Sequence, residues 1–394
     1  MKILFVSSSK YTHEGSSKAL IHIINQLSKE GVDVKVVLPV KQSLYQYFEE
    51  QGINCIVPSK YYRMSIYPWS KTILDKILFI PRLLGRWLVN NFVTLELIKD
   101  IKQCKPDIIH TNDSGTAIGY YVAKYLKIPH IWHIREYGAL DINTFYYYPT
   151  FSHQLRRYKK NTSYTLCITK DIQRYNKLTN WKNSKVLYDG VLPASDVTYS
   201  PTKKPYFLFA SRFEPVKGIL PLIDAYAAYC QRHPTPLPLH IAGNGTEPYT
   251  KLLTDKIASY HLEDNVTLLG MRSDILSLYK EAKAFIVPSL FEGFGFITAE
   301  AMFSGCLVIG NDTAGTKEQF DNGKELTGEE IALRYTTQEQ LVQHLIDVTN
   351  NPIDYYEPMI LRGQSVVKQL YSSEESAKQI YNFYQTILNN QAKR

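Results

Sequence analysis

A short glycine-rich loop in the second half of the chain carries two glutamates that could bind a ligand. Glu292 precedes the sequence Gly-Phe-Gly-Phe at 293–296, and Glu300 follows it by eight residues in a stretch with helical character. Glycines let backbone N–H groups approach an anion, and the N-terminus of a following helix adds a positive dipole end. The segment therefore predicts a phosphate-binding loop flanked by carboxylates that accept hydrogen bonds from hydroxyl groups. A glycine-rich turn with two solvated glutamates is the alternative.

Two cations stand five residues apart after the first strand-like run of the second half. Arg212 and Lys217 lie on either side of Pro215. If both side chains reach the edge where the glycine-rich loop opens, they can neutralise a diphosphate without a metal ion. The alternative is that both are ordinary surface charges, as most lysines and arginines are.

The turn at 243–248 resembles the beginning of a dinucleotide-binding fingerprint. Gly243 and Gly245 are in place, but Pro248 occupies the position of the third glycine. Because an incomplete fingerprint is a weak signal, this segment predicts a tight turn between a strand and a helix.

Short apolar runs alternate with helix-length amphipathic segments along almost the whole chain. This alternation predicts parallel sheets joined by right-handed crossovers. In the first half the strand-like runs are 2–7, 33–38, 53–57, 107–111, 130–134, 164–168 and 185–188. In the second half they are 206–210, 237–242, 266–269, 284–287 and 307–309. The motifs above follow such runs, and ligands bind beyond the carboxyl ends of strands in sheets of this type.

A proline-containing stretch at 192–205 separates the two halves of a chain of 394 residues, which is too long for one ordinary domain. We expect an α/β architecture of two Rossmann-like, doubly wound parallel-sheet domains that face each other across a cleft. Residues 1–195 form the first domain, residues 205–365 form the second, and a helical tail at 366–394 returns to the first domain.

Composition excludes several classes of protein. The chain is 44% hydrophobic and 21% charged, which excludes a disordered chain. Its five cysteines are scattered, so neither a disulfide framework nor a zinc site is expected. The formal net charge of +8 comes with no nucleic-acid-binding motif. The first residues lack the layout of a signal peptide, and no apolar run is long enough to span a bilayer.

Taken together, these motifs resemble glycosyltransferase family 4, whose members use nucleotide sugars and have the GT-B fold. The resemblance is close from about residue 206 to residue 318 and loose in the first half. The residues that carry it are Arg212, Lys217, Gly218, Gly243, Gly245, the segment 265–270, Glu292, Gly293, Gly295, Glu300, Met302 and Gly305.

The resemblance implies a donor-binding site in the second domain. Arg212 and Lys217 would hold the diphosphate, and the loop 293–295 would meet the phosphates through its backbone. Glu292 would bind hydroxyl groups of the donor sugar and Glu300 the ribose. The full donor-binding set is Gly15, Arg212, Lys217, Gly270, Met271, Arg272, Glu292, Gly293, Phe294, Gly295, Phe296 and Glu300, with the base stacked near 270–272.

In the first domain the resemblance implies an acceptor site. Gly15, in the loop after the first strand, would approach the donor phosphate. His133, at the end of a strand, is predicted to be catalytic together with Glu292 and to face the donor sugar; a structural, hydrogen-bonded histidine is the alternative. His110 and Asn112, at another strand end, are secondary candidates.

We expect a retaining transfer that needs neither a metal ion nor another cofactor. The chain holds no Asp-x-Asp triplet, the carboxylate pair that usually bridges a metal ion to a diphosphate. Because no carboxylate of the first domain is an obvious nucleophile, the sequence favours a front-face reaction. In that reaction the departing phosphate oxygen takes the proton of the acceptor.

A basic and aromatic region at 60–100 distinguishes the first domain. Arg82, Arg86 and Trp87 stand there among many isoleucines and leucines, and the runs 156–160 and Tyr146–Tyr148 extend the region. This composition favours a helix lying in the plane of an anionic membrane surface. The alternative is a helical pair packed on the sheet with a solvated basic edge. The predicted location is cytoplasmic, peripheral on the inner face of the cytoplasmic membrane.

The predicted function is the transfer of a hexosyl residue from a nucleotide sugar, UDP-linked, to a lipid-linked saccharide in bacterial surface-polysaccharide assembly. The expected partners are the nucleotide sugar, this acceptor and the membrane surface, and no nucleic acid. The alternatives are a non-catalytic GT-B partner subunit or sugar-binding protein, a nucleotide-sugar epimerase and an NAD-dependent oxidoreductase. The joint presence of Arg212, Lys217, Glu292 and Glu300 argues against a partner subunit.

Overall fold

The chain folds into two compact units. The computed structural model describes residues 1–62, 66–68, 72–138, 140, 145–147 and 151–392. Unit 1 consists of Met1–Gly190 together with Ser373–Arg394, and unit 2 consists of Val191–Ser372. Parts of the predicted basic and aromatic region, at 63–65, 69–71 and Tyr148, lie outside the described residues.

Unit 1 is built around a parallel sheet. The strands of unit 1, in chain order, are β1 (Lys2–Val6), β2 (Asp33–Val37), β3 (Asn54–Ile56), β4 (Ile66–Pro68), β5 (Ile108–Thr111), β6 (His130–Ile134), β7 (Phe145–Tyr147), β8 (Ser163–Cys167) and β9 (Ser184–Val186). Its first helices are α1 (Gly15–Lys29), α2 (Ser43–Glu50), α3 (Ile73–Cys104), α4 (Ile118–Leu126), α5 (Phe151–Tyr158) and α6 (Lys170–Tyr175). Within the described ranges the sheet has seven strands in the order β3-β2-β1-β5-β6-β8-β9, all paired in parallel.

Unit 2 repeats this architecture. Its strands are β10 (Lys204–Ala210), β11 (Leu239–Ala242), β12 (Val266–Gly270), β13 (Ala282–Val287), β14 (Leu307–Asn311) and β15 (Leu333–Tyr335). Its helices are α7 (Ile219–Arg232), α8 (Glu247–Ser259), α9 (Ile275–Glu281), α10 (Phe296–Phe303), α11 (Ala314–Thr327), α12 (Gln338–Asn350) and α13 (Glu357–Leu370). The parallel sheet has the order β12-β11-β10-β13-β14-β15.

The two sheets confirm the predicted doubly wound α/β fold. Four of the five residues of β1 and five of the six residues of β13 are buried. Burial along the whole strand is expected when helices cover both faces of a parallel sheet. In unit 2, the apolar side of α7 supplies part of that cover by burying Leu222, Ile223 and Tyr226 in the core that contains β10 and β11.

Each sheet has one place where the direction of strand addition reverses. In unit 1 the reversal lies between β1 and β5, and in unit 2 it lies between β10 and β13. At such a place the connections that follow the two neighbouring parallel strands run to opposite sides of the sheet. This opens a crevice beyond the carboxyl ends of the two strands. The loops after β1 and β5, and the loops after β10 and β13, are therefore the places where ligand-binding residues are expected.

The end of the chain returns to unit 1. α13 ends at Leu370, and the last helix, α14 (Ser373–Ala392), packs against α1. Ile380, Tyr384 and Ile387 of α14 are buried in the core of unit 1. The sequence places this return at residue 366, whereas the structure keeps the chain in unit 2 until Ser372 because α13 continues to pack on α10 and α11.

α3 is a helix of 32 residues, with Pro81 inside it. Thr72 and Asp75 form a capping box that starts it. The segment just before α3 includes β4, which pairs with β7 in an antiparallel ribbon that the sequence did not predict. Across the described helices, none is both long enough and apolar enough to cross a membrane.

Candidate functional site

In unit 2, Lys217 and Glu292 form an ion pair at the reversal point of the sheet. Lys217 Nζ lies 2.7 Å from Glu292 Oε1, and the two side chains are 13% and 12% exposed. Ser289 Oγ also donates a hydrogen bond to Glu292 Oε1, at 2.8 Å. Two donors therefore fix this carboxylate, and the ion pair joins the loop after β10 to the loop after β13.

The loop that carries Lys217 is pressed against the end of β13. A 3-10 helix at Pro215–Lys217 ends at Gly218, whose φ of 69° lies in the left-handed region. A Cβ atom on Gly218 would lie 2.0 Å from the carbonyl oxygen of Pro288. Only glycine permits this approach, so the backbone as well as the charge brings Lys217 to Glu292.

The glycine-rich loop is held from behind by α11. The backbone N–H of Gly315 donates to the carbonyl oxygen of Glu292 at 2.9 Å. The side-chain amide of Gln319 donates to the carbonyl oxygens of Phe294 and Gly295, at 2.7 and 3.0 Å. A Cβ atom on Gly315 would lie 2.6 Å from the Phe294 oxygen. Three carbonyl groups of the loop thus face α11, which gives the loop a fixed shape without a ligand.

Helix α10 begins directly after this loop. Gly295 precedes it with a φ of 95°, and the first helical residue is Phe296. The first N–H groups of a helix lack acceptors within the helix and carry the positive end of its dipole. Glu300 lies further into α10 and is buried. The arrangement can accept phosphate oxygens at the start of α10, the role predicted for this loop.

Phe294 contributes its backbone, not its side chain, to this edge. Its ring is 2% exposed. It packs edge-on against Phe296 and Tyr371, with ring centroids 5.7 and 5.1 Å away. A ligand of the glycine-rich loop could therefore meet only the backbone of Phe294.

Arg212 and the turn at 270–272 lie on the same sheet edge but are more exposed. Arg212 pairs with Glu214 at 2.9 Å, and its side chain is 69% exposed. Gly270 ends β12, Met271 is exposed, and Arg272 pairs with Asp274 at 2.6 Å. The structure thus brings Lys217 and Glu292 together and places Arg212 in an ion pair of its own.

The turn at 243–245 packs on the loop that carries Arg212. A Cβ atom on Gly243 would lie 1.9 Å from the carbonyl oxygen of Ser211, and one on Gly245 would lie 2.6 Å from Phe213 Cβ. Close backbone packing accounts for both glycines, as expected of a tight turn between a strand and a helix.

In unit 1, polar side chains at the ends of β5 and β6 form a buried network. Arg135 pairs with Asp189, and its Nη2 donates to Asn112 Oδ1 at 3.0 Å. The same Nη2 lies 3.1 Å from His133 Nδ1, and His110 Nε2 is also 3.1 Å from that nitrogen. The predicted residues His133, His110 and Asn112 are therefore brought together, with Arg135 at the centre.

This network fixes the protonation of His133. A guanidinium only donates hydrogen bonds, so His133 Nδ1 accepts from Arg135 and carries no proton. His110 Nε2 then donates to the same nitrogen, and the hydroxyl of Tyr384 donates to His110 Nδ1 at 2.5 Å. Burial lowers the pKa of both histidines well below the ordinary value, and the charge of Arg135 lowers each pKa further. His133 is therefore neutral, with its proton on Nε2.

The protonated nitrogen of His133 is directed at no acceptor. Among the described residues, His133 Nε2 has no hydrogen-bond partner, and Asp189 Oδ1 lies 3.9 Å away. Burial raises the pKa of Asp189, while its pairing with Arg135 opposes that rise. A buried N–H without an acceptor is costly, so this donor is available to a ligand that reaches it.

A polar cavity of about 340 Å³ opens at the reversal point of the unit 1 sheet. Asp113, after β5, accepts hydrogen bonds from the N–H and the hydroxyl of Ser8, after β1, at 3.0 and 2.9 Å. Gly15 is the first residue of α1, between two lining residues. The lining consists of hydroxyl and charged side chains, namely Ser8, Ser9, Lys10, Tyr11, Glu14, Ser16, Asp113, Arg135 and Glu136.

Sequence reasoning missed several residues that hold these two sites. In unit 2 they are Ser289, Gly315 and Gln319, and in unit 1 they are Asp189 and Tyr384. Asp189 follows a strand-like run and is itself followed by glycine, a signal that could have identified it. Within the described ranges, no group of three or more His, Cys, Asp or Glu side chains is arranged to hold a metal ion.

Two family models match consecutive parts of the chain. The model described as Glycosyltransferase Family 4 matches residues 14–191. The model described as Glycosyl transferases group 1 matches residues 194–365. The boundary between the two matches coincides with the boundary between the two units at residues 190 and 191.

Curated relatives match shorter segments. An uncharacterised glycosyltransferase of Methanocaldococcus jannaschii is 27% identical over 227 residues, which are 54% of this chain and 58% of that protein. The lipopolysaccharide core biosynthesis mannosyltransferase LpsB of Rhizobium meliloti is 32% identical over 95 residues, which are 23% of this chain and 27% of LpsB. The matched segments thus span about a quarter to a little over half of these relatives.

A solved structure matches nearly the whole chain. HepE of Anabaena, in complex with UDP, has a TM-score of 0.76 and 18% identity over 98% of this chain and 100% of HepE. HepE has also been solved with UDP-glucose. This similarity identifies the fold as GT-B. With both units matched by family models and the glycine-rich loop at the reversal point of the second sheet, the chain belongs to glycosyltransferase family 4.

Proposed function

We propose that the protein is a retaining glycosyltransferase that moves a hexosyl residue from a UDP-sugar to a lipid-linked saccharide during assembly of a bacterial surface polysaccharide. The observation that carries the proposal is the Lys217–Glu292 ion pair beside the glycine-rich loop. It places a cation suited to a diphosphate and a carboxylate suited to sugar hydroxyls at one point of a domain that matches the group 1 model.

The donor is proposed to bind to unit 2. Lys217 exchanges Glu292 for a phosphate oxygen, and Glu292, still held by Ser289, accepts hydrogen bonds from the sugar hydroxyls. The start of α10 and the exposed Arg212 add positive potential for the diphosphate. Glu300 binds the ribose, and the base lies near 270–272. HepE, which shares the fold, has been solved with UDP and with UDP-glucose, which supports a UDP-linked donor.

The acceptor is proposed to bind in the polar cavity of unit 1. Carboxylates and hydroxyls predominate in its lining, and the positive charge of Arg135 is offset by Asp189. Such a lining can accept hydrogen bonds from the hydroxyl groups of a saccharide and donate hydrogen bonds to them. The similarity to LpsB, a lipopolysaccharide core biosynthesis mannosyltransferase, supports a role in surface-polysaccharide assembly. We place the enzyme on the inner face of the cytoplasmic membrane, where lipid-linked saccharides are extended.

The reaction is proposed to proceed on one face of the donor sugar without a metal ion. The bond between the anomeric carbon and the β-phosphate oxygen breaks, and the acceptor oxygen bonds to the same carbon from the same side. The acceptor proton passes to the departing phosphate oxygen. Lys217, Arg212 and the start of α10 stabilise the charge that develops on UDP. As the family resemblance implies, the Nε2–H group of His133 donates a hydrogen bond to the donor sugar, and Gly15 approaches the donor phosphate.

The first experiment is calorimetric titration of UDP, GDP, ADP and NAD in EDTA, on the wild type and on Lys217→Ala. Lys251→Ala is the matched control, because Lys251 is an exposed lysine of unit 2 paired with Asp255. Metal-free UDP binding that Lys217→Ala weakens and Lys251→Ala preserves would support the donor site. UDP-sugar turnover with a saccharide acceptor would then separate an enzyme from a non-catalytic partner subunit. Binding of NAD alone would contradict the proposal.

A further inference from the structure

One face of α3 is apolar and exposed over most of its length. Ile77, Ile80, Leu84, Leu88, Phe92 and Leu95 recur at intervals of three or four residues, and they are between 49% and 67% exposed. At 1.5 Å per residue, this row of six, which we call the α3 stripe, extends for about 27 Å. Isolated exposed apolar residues are ordinary, whereas a continuous row of this length marks a contact surface.

The stripe is not the face that anchors α3 to its own unit. Val93, Leu97 and Ile101 are buried with residues of β1, β5 and α4. At 100° per residue these buried positions lie on the opposite side of the helix from Leu84 and Leu88. α3 thus has two apolar faces, one buried in unit 1 and one exposed.

Charged residues of α3 leave the stripe uninterrupted. Arg82 pairs with Asp75, and the guanidinium of Arg86 lies over the ring of Tyr62 at 5.2 Å. Both arginines are about 160° around the helix from Leu84, so they do not break the apolar row. Trp87, at the edge of the stripe, is 44% exposed.

Exposed cations accompany the stripe. Lys76 and Lys99 stand at its two ends and are exposed. The pairing of β4 with β7 links the segment before α3 to the segment before α5. Arg156, at the end of α5, is also exposed, as are the two lysines that follow α5. Apolar side chains bordered by lysines and a tryptophan match the boundary between anionic headgroups and acyl chains.

We propose that the α3 stripe is the membrane-contact surface of the protein and lies in the plane of an anionic bilayer leaflet. The six apolar side chains enter the headgroup boundary, and Lys76, Lys99 and the end of α5 contact lipid phosphates. The proposal deepens the proposed function by naming the surface that brings unit 1 to a lipid-linked acceptor, and it rests on that function only for the nature of the acceptor.

A second copy of the chain fits the stripe less well than a lipid surface does. In a two-fold dimer the same patch meets itself, so the lysines at the two ends of the stripe would face lysines of the second copy. Like charges brought together across an interface oppose association, whereas anionic headgroups attract each of these cations.

The test measures flotation of the full chain with vesicles of phosphatidylcholine, with or without phosphatidylglycerol. The variant is L84E/L88E, which adds two charges to the stripe at positions more than 45% exposed. Leu252→Glu, at an exposed leucine of α8, is the matched control. We expect the wild type and Leu252→Glu to float with phosphatidylglycerol vesicles, and L84E/L88E to bind at least tenfold more weakly. A charge variant, K76E/K99E, should show a weaker preference for phosphatidylglycerol than the wild type.

Thermal unfolding followed by circular dichroism shows that each variant is folded, and calorimetry on the same samples measures UDP binding by unit 2. Equal flotation of L84E/L88E and the wild type would overturn the inference, and so would absence of flotation in a wild type that binds UDP. A dimer detected by light scattering, lost in L84E/L88E and without vesicle binding, would assign the stripe to a second copy. Flotation without binding of any nucleotide would leave the membrane surface standing and remove the proposed function.

Discussion

Lys217 Nζ lies 2.7 Å from Glu292 Oε1, and this contact joins the two loops that flank the reversal point of the second sheet. The two residues are 75 positions apart in the chain. The cation and the carboxylate neutralise each other without a ligand, so each is already in place and incompletely solvated. A diphosphate sugar can bind to both residues at once, through its phosphate to Lys217 and through its hydroxyl groups to Glu292.

Glu292→Ala should reduce turnover at least tenfold while leaving UDP affinity nearly unchanged. Free UDP has no sugar for Glu292 to bind, and Lys217 loses a competing anion, so any shift in affinity should be toward tighter binding. Calorimetry with UDP and a product assay with the donor measure the two effects. Glu281→Ala, which removes an exposed ion pair with Lys204, should change neither. Collapse of UDP binding in Glu292→Ala would show that Glu292 supports the phosphate site instead.

Arg212→Ala should weaken UDP binding by about tenfold to a hundredfold, which corresponds to the roughly 1.5–3 kcal/mol of a hydrogen bond to a charged group. Without a ligand Arg212 is exposed and is paired with Glu214 in its own loop. Folding stability should therefore hardly change. Arg232→Ala, which breaks a comparable exposed pair with Glu339, is the control. Unaltered UDP affinity in Arg212→Ala would remove this residue from the donor site.

Gly315→Ala should impair donor binding through the glycine-rich loop. The new Cβ would lie 2.6 Å from Phe294 O and 2.7 Å from Glu292 O, so the loop must move. Gly328→Ala, at the end of the same helix, has a positive φ but nothing within 4 Å of its Cβ. It should cost about 1–2 kcal/mol of stability and leave UDP affinity intact. Equal UDP affinities of the two variants would contradict the proposed coupling of α11 to the loop.

The free energy of unfolding should fall as the pH falls below about 6.5, before most carboxylates titrate. Burial lowers the pKa of His110, His130 and His133, and it brings that of His130 to about 3. Below pH 6.5 the unfolded chain binds protons that these folded histidines do not, so stability present above that pH is lost. The slope is about 1.4 kcal/mol per pH unit for each histidine.

Denaturant unfolding from pH 7 to pH 5 measures this slope. His130→Gln should reduce the slope by about 1.4 kcal/mol per pH unit, the contribution of one histidine, because the glutamine amide takes no proton in this range. His261→Asn, at an exposed position with left-handed backbone, is the control for the replacement of a histidine outside the buried set. A slope that is the same in His130→Gln and the wild type would contradict the expectation.

Tyr384→Phe should destabilise unit 1 by about 1–3 kcal/mol, because His110 Nδ1 would remain buried without its donor. Turnover should fall as well, since His110 helps to hold His133 by donating to its Nδ1. Unfolding and product formation are both measured, with Tyr381→Phe on the same helix as control. A Tyr384→Phe enzyme with full stability would show that the hydroxyl has no part in holding the network.

Most of the two sheets could be predicted from the sequence, because their strands are short apolar runs bounded by turn residues. β15 was missed because it has three residues, one of them Arg334. The ribbon of β4 and β7 was missed because its strands hold a proline and three tyrosines, which belong to the predicted basic and aromatic region. Strands this short take their stability from neighbours, not from their own composition.

The residues of the candidate sites were likewise predicted only in part. Glu292 and the glycine-rich loop are contiguous, so their pattern is visible in the sequence. The residues that fix them are remote: Gln319 lies 25 positions from Phe294, and Tyr384 lies 274 positions from His110. A hydrogen bond between remote residues leaves no periodic signal. Arg212 and Lys217 were expected to converge because they are close in sequence, but each has its own carboxylate partner.

The return of α14 to unit 1 has a consequence for how the protein is made. Residues 191–372 contain every strand of the second sheet and leave the ribosome before α14 does, so this unit can fold without the end of the chain. Unit 1 needs α14 as well, because Ile380, Tyr384 and Ile387 belong to its core and leave the ribosome after unit 2. Domains generally fold as units in the order of their synthesis. Here the unit that begins first is completed after the second one, and until α14 docks the apolar surface of α1 stays uncovered.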